Sequence, residues 1–167
     1  CQLVLTLFGI LAFALDAFAY AAEALVGEAI GKRNSTDLQI VIRRTNSLAA
    51  VMALGIAAIL WLGDTVIIRL FTTQAALIAH AKTHWVWACL LAPASFMAFQ
   101  LDGIFVGATR GQDMRNAMIF SAGGLGIALL LLAPWGLQGV LAALVCYLGL
   151  RGASLWWHID RIYAQAG

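Results

Sequence analysis

The chain has 167 residues, of which 63% are hydrophobic and only 11% charged, and its mean hydropathy is +0.91. Soluble domains run at about 45–50% apolar and about 25% charged residues, and so short a chain cannot enclose this much apolar surface in water. Lipid is therefore the main solvent, which excludes a soluble enzyme and a secreted disulfide scaffold; a formal net charge of +2 is too small to imply a nucleic-acid partner.

Hydrophobic runs near membrane length predict spans at residues 5–31, 45–62, 84–108, 116–133 and 138–157. The fold class is all-α, integral membrane, because a spanning segment in lipid must satisfy its backbone internally. The first run ends at Gly31-Lys32-Arg33-Asn34, a helix stop that opens a basic loop over 32–44. After Gly63 and Asp64, residues 64–83 are too short and interrupted to cross; they predict an amphipathic helix on the outer surface. The third run contains Pro93, a candidate kink. A tight turn at Ala133-Pro134-Trp135-Gly136 separates the last two. Because the chain opens at Cys1 inside a hydrophobic run, it reads as a piece of something longer. Cys1, Cys89 and Cys146 lack disulfide or metal spacing and read as small hydrophobes.

Five spans put successive loops on alternating sides. Lys32, Arg33, Arg43, Arg44, Arg110, Arg115, Arg151 and Arg161 fall on one side, leaving Arg69 and Lys82 on the other. Positive charge marks the cytoplasm, so the chain starts outside and its C-terminus is cytoplasmic. Trp61, Trp85, Trp87 and Trp135 fall at the outer boundary, and Trp156 and Trp157 at the inner one, as aromatic belts do.

The informative residues are acids inside apolar helices. Asp16, Tyr20 and Glu23 follow i, i+4, i+7 spacing and share one helix face. Asp102 lies in the third span, between Gln100 and Gly103. Each ionised acid at mid-membrane costs about 2.5–3.5 kcal/mol on insertion scales, and the two spans holding these acids contain no Lys or Arg. Glu23 and Asp102 each lie about 12 Å from the inner boundary at 1.5 Å per residue, so they are expected at one depth, with Asp16 about 10 Å further out. Such a ladder suits movement of protons or cations; the alternative is protonated acids that merely fasten helices. Glu28 differs, being an i,i+4 partner for Lys32. His80 and His84 have the spacing of a metal pair but no third ligand; Gly123-Gly124-x-Gly126 lies within a span, where small residues serve packing. No phosphate-binding GxxxxGK[ST] occurs, so the sequence offers no ATPase and no cofactor site.

Two stretches carry a resemblance. Residues 15–31 (LDAFAYAAEALVGEAIG) resemble the eighth helix of multidrug and toxic compound extrusion (MATE) transporters, in their DinF-like branch. Residues 99–110 (FQLDGIFVGATR), followed by 114–118 (MRNAM), resemble the tenth, and 64–72 (DTVIIRLFT) is similar to the outer connection before it. The resemblance implies helices 8 to 12 of a twelve-helix transporter: most of a six-helix C-terminal lobe whose N-terminal lobe is missing. It also implies a multi-pass protein of the cell (inner) membrane, not an enzyme, in which H⁺ or Na⁺ enters as an amphipathic or cationic small molecule is exported. The candidate coupling and cavity residues are Asp16, Tyr20, Glu23, Gln100 and Asp102: Glu23 and Asp102 form the C-lobe polar centre, Tyr20 donates a hydrogen bond to one of them, and Asp16 is the outer station or a helix-fastening acid. The alternatives are a lipid-linked precursor flippase of the same wider fold, which would need basic residues lining its cavity, and a non-transporting membrane subunit.

Overall fold

The computed structural model describes residues 2–165. Among them the chain forms α1 (Gln2–Gly31), α2 (Ser35–Leu62), α3 (Asp64–Phe71), α4 (Ala75–Thr83), α5 (Trp85–Gly107), α6 (Gly111–Leu132), α7 (Leu137–Trp156) and α8 (Asp160–Tyr163). A 3₁₀ turn, Ala133–Trp135, and Gly136 at φ 58° link α6 to α7. Five of these helices are long and apolar enough to cross a membrane. They traverse the molecule alternately, so α1, α5 and α7 run one way and α2 and α6 return.

Capping chemistry, not hydropathy, sets where α2 begins. Asn34 Oδ1 accepts the Asp37 N–H at 3.1 Å and Asn34 Nδ2 donates to Asp37 Oδ2 at 2.7 Å, an N-cap with an acid in the first turn. The basic loop expected over 32–44 is therefore only residues 32–34, and Arg43 and Arg44 ride on a helix. The 28 residues of α2 extend about 42 Å, well beyond a hydrocarbon core of about 30 Å. Similarly α6 starts at Gly111 rather than at 116.

The turns that end α1 and α5 are built alike. Arg33 N–H bonds to Ile30 C=O and Asn34 N–H to Ala29 C=O, at 3.0 and 3.3 Å; Thr109 N–H bonds to Val106 C=O and Arg110 N–H to Phe105 C=O, at 2.8 and 2.9 Å. Each is a Schellman motif, with Arg33 (φ 51°) and Thr109 (φ 55°) in the left-handed region. Asp37 and Asp113 then occupy equivalent places in the first turns of α2 and α6.

Residues 64–83 form two short helices, not one. Thr72 adopts an extended conformation after α3, and its Oγ1 accepts the Gln74 N–H at 3.3 Å, a local bond that competes with helix continuation. Lys82 holds α4 against α3 by donating to Thr65 Oγ1 at 2.7 Å, with its Nζ 3.6 Å from Asp64 Oδ2. Trp85 departs from the aromatic-belt expectation. It is buried, and its indole N–H donates to Leu60 C=O at 2.8 Å, tying the end of α2 to the start of α5.

Helix α5 continues through Pro93 and packs against α1, α2 and α7, while α6 packs chiefly on α7. One core cluster, with Val26, Ile42, Phe105 and Leu155, fills the end where α1 and α5 finish. A second, with Leu60, Ile68, Leu91 and Leu141, fills the opposite end. The seam between α1 and α5 is a backbone contact: a methyl group at Gly103 would overlap the Ala19 carbonyl, and one at Gly107 the Glu23 carbonyl. This is a GxxxG interface. Of Gly123, Gly124 and Gly126, only Gly124 meets a neighbour, the Leu150 side chain.

Candidate functional site

The α1–α5 seam fixes the relative heights of the membrane acids. With Gly103 on Ala19 and Gly107 on Glu23, the two helices run parallel and Asp102 is level with Phe18. Asp16 is thus about 3 Å from it in height and Glu23 about 7.5 Å. The expectation that Glu23 and Asp102 share a depth is corrected: Asp16 is the acid at Asp102's level, within Coulombic reach of it. Glu23 lies beside the last turn of α5, because α1 extends past the end of α5.

Asp102 has a basic partner on another helix. Arg151 of α7 donates from Nε at 3.1 Å and from Nη2 at 2.7 Å, both to Asp102 Oδ2, and from Nη1 to Tyr147 Oη at 3.3 Å. The pair is mostly enclosed, with side-chain exposures of 24% for Asp102 and 12% for Arg151. The spacing explains why they meet: each lies five residues before the end of its helix, Gly107 or Trp156, and α5 and α7 run in the same direction. Gly152 permits the approach, since a methyl group there would press on Met97 at 3.1 Å and Ala98 at 3.3 Å.

The cluster borders a groove of about 280 Å³ walled by Phe8, Phe99, Leu144 and Tyr147. Among the described residues, Asp102 Oδ1 is buried without a hydrogen-bond partner, as are both amide atoms of Gln100. Gln100 is 1% exposed, but it does not line this groove. Tyr20 is not brought to the cluster; it is 69% exposed, and the hydroxyl beside the ion pair belongs to Tyr147. Asp16 and Glu23 are half-buried on α1. Both Arg151 and Tyr147 were readable in the sequence as an i,i+4 pair inside the last span, but assigning Arg151 to the basic end of that span hid its partnership.

Other singled-out residues have local roles. Glu28 and Lys32 form the expected i,i+4 pair at 2.5 Å. His84 Nδ1 lies 3.1 Å from His80 C=O, a contact within one turn. Cys89 is buried and Cys146 exposed, while Cys1 lies outside the described residues. At the end where α5 finishes, Asp113 is held by Arg161 at 2.6 Å and Arg110 at 3.4 Å, which ties α8 to the start of α6.

Five long apolar helices, with a mostly enclosed ion pair between α5 and α7, define a polytopic α-helical membrane protein. Residues 1–132 match the MatE family, and the chain belongs to that family. It is 37% identical over 153 residues to DNA damage-inducible protein F of Escherichia coli K12, covering 91% of this chain and 33% of that protein. It is 23% identical over 159 residues to Protein DETOXIFICATION 44, chloroplastic, of Arabidopsis thaliana, covering 95% and 30%. The crystal structure of the eukaryotic MATE transporter AtDTX14 superposes with a TM-score of 0.89 at 16% identity, over 99% of this chain and 38% of that one. The chain therefore spans about a third of the length of the relatives it matches.

Proposed function

We propose that this chain forms most of the C-terminal lobe of a cation-coupled exporter that exchanges H⁺ or Na⁺ for an amphipathic or cationic small molecule. The observation that carries the reading is Asp102, held by Arg151 at the edge of a groove with Phe8, Phe99 and Tyr147 on its walls. A carboxylate with one oxygen paired and the other free can take a proton or cation only by weakening its bond to Arg151. Coupling-ion binding and helix contact then become one event, and aromatic walls suit an apolar or cationic substrate. Asp16, at nearly the same height, supplies a second carboxylate. The N-terminal lobe, absent from these residues, would complete the cavity.

The basic residues Lys32, Arg33, Arg110, Arg115 and Arg161 gather at the end where α1, α5 and α7 finish. By the positive-inside rule that end, and with it the C-terminus, is cytoplasmic in the cell membrane. Export from cells is tested in the full-length protein with Asp102→Asn, Asp16→Asn and Glu23→Gln. Asp102→Asn, whose amide oxygen can still accept from Arg151, should lose most transport with expression little changed, and Asp16→Asn should alter its pH or Na⁺ dependence. Wild-type transport with unaltered ion dependence in all three would make the acids structural.

One observation favours a second reading. Arg151 places a basic side chain on the groove, the feature a lipid-linked precursor flippase needs and the acid-bearing spans lack. Loss of precursor translocation, with drug export intact, in Arg151→Gln would support that function instead.

A further inference from the structure

We propose that the groove between α2 and the corner joining α7 to α8 binds the headgroup of an anionic phospholipid. The groove has a volume of about 450 Å³ and is separate from the Asp102 site. Gln39, Arg43 and Asn46 enter it from α2, Trp156 from the end of α7 and Tyr163 from α8. The three α2 residues follow i, i+4, i+7 spacing and so share a face. Among the groove's lining residues, Arg43 supplies a positive charge and there is no carboxylate. A guanidinium pairs with phosphate oxygens through two parallel N–H groups, and the Gln39 and Asn46 amides can donate to the remaining oxygens.

Depth identifies the occupant. The uninterrupted apolar run of α2 begins at Leu48, after Thr45-Asn46-Ser47, whereas the helix begins at Ser35. Residues 39–46 therefore lie about 3–14 Å outside the hydrocarbon slab, in the headgroup layer. Trp156 and Tyr163 are the amphipathic ring types that settle there. Deeper on the same face of α2, Leu54 lies eleven residues beyond Arg43, three helical turns on, and is 61% exposed, an apolar surface for acyl chains below the donors. A basic notch between transmembrane helices at the membrane boundary is the geometry that selects anionic headgroups.

The test uses the full-length protein in bilayers of equimolar phosphatidylglycerol and phosphatidylcholine, extracted and examined by native mass spectrometry for retained lipid. Phosphatidylglycerol should be retained in preference to phosphatidylcholine, and added inorganic phosphate should not displace it. Arg43→Gln should lower retention about fivefold, the factor of one basic residue near an anionic surface. Arg44→Gln, one residue away and outside the groove, should leave it nearly unchanged. Asn46→Ala should reduce retention in the same direction, so the proposal does not depend on one variant. Equal retention of the two lipids, equal losses in the two arginine variants, or displacement by inorganic phosphate would each overturn it.

Discussion

Arg151 gives two N–H groups to a single oxygen of Asp102, Oδ2, at 3.1 and 2.7 Å, and Oδ1 is left buried without a partner among the described residues. A bidentate fork would occupy both oxygens; this geometry pins α7 to α5 and leaves the other oxygen unpaired.

Breaking that pair from one side should cost more than removing both partners. Arg151→Met leaves an enclosed carboxylate uncompensated and should lower stability by about 3 kcal/mol, the low end for a buried pair because neither group is fully enclosed. Asp102→Leu combined with Arg151→Met should recover most of the loss. Thermal unfolding of the purified full-length protein in detergent measures the difference, and equal losses in single and double variants would show the pair to be uncoupled.

The α1–α5 seam should tolerate nothing larger than hydrogen at two positions. Gly103→Ala and Gly107→Ala force the helices apart, each at about 1–3 kcal/mol. Gly126→Ala points into open space and should be nearly neutral. Fluorescence-detected size exclusion after heating ranks the three variants.

Thr109 is a β-branched residue at φ 55°, a conformation that costs a non-glycine residue about 1–2 kcal/mol. Thr109→Gly keeps both Schellman hydrogen bonds and removes the crowding. It should raise the melting temperature slightly or leave it unchanged, offset in part by glycine's larger loss of freedom on folding. A clear fall would mean that the Thr109 side chain makes a contact worth more than its strain.

The α3–α4 connection should loosen in acid. Hydrogen bonds from the Thr65 hydroxyl and backbone N–H, helped by Lys82, hold the Asp64 carboxyl below its ordinary range. A group whose folded value is depressed contributes stability above its unfolded value and loses it as pH falls through the folded value. Hydrogen exchange of the α3 amides should therefore accelerate as pH drops below the usual carboxylate range, and Asp64→Asn should flatten that dependence. Exchange that is insensitive to pH once intrinsic rates are divided out would contradict it.

Hydropathy revealed the long helices because lipid selects runs of about 20 apolar residues, and that selection leaves its mark in composition. The start of α2 was hidden because Asn34 and Asp37 begin a helix in polar sequence, where hydropathy is silent. The heights of Asp16, Glu23 and Asp102 could not be obtained by counting from span ends, since α1 outruns α5 by two turns. They follow from Gly103 and Gly107, a spacing visible in the sequence whose partner helix was not. Arg151 was likewise visible, but only α5 and α7 running in parallel bring it to Asp102.

The Gly103–Ala19 contact joins residues 84 positions apart, which imposes an order on assembly. At about 5–20 residues per second, α5 follows α1 out of the ribosome by about 4–17 s. Through that interval the face of α1 that meets Gly103 and Gly107 has no α5 to pack on, while α2 is made and docks beside it. The same two glycines that set the height of the acids thus set the moment at which α5 closes on α1.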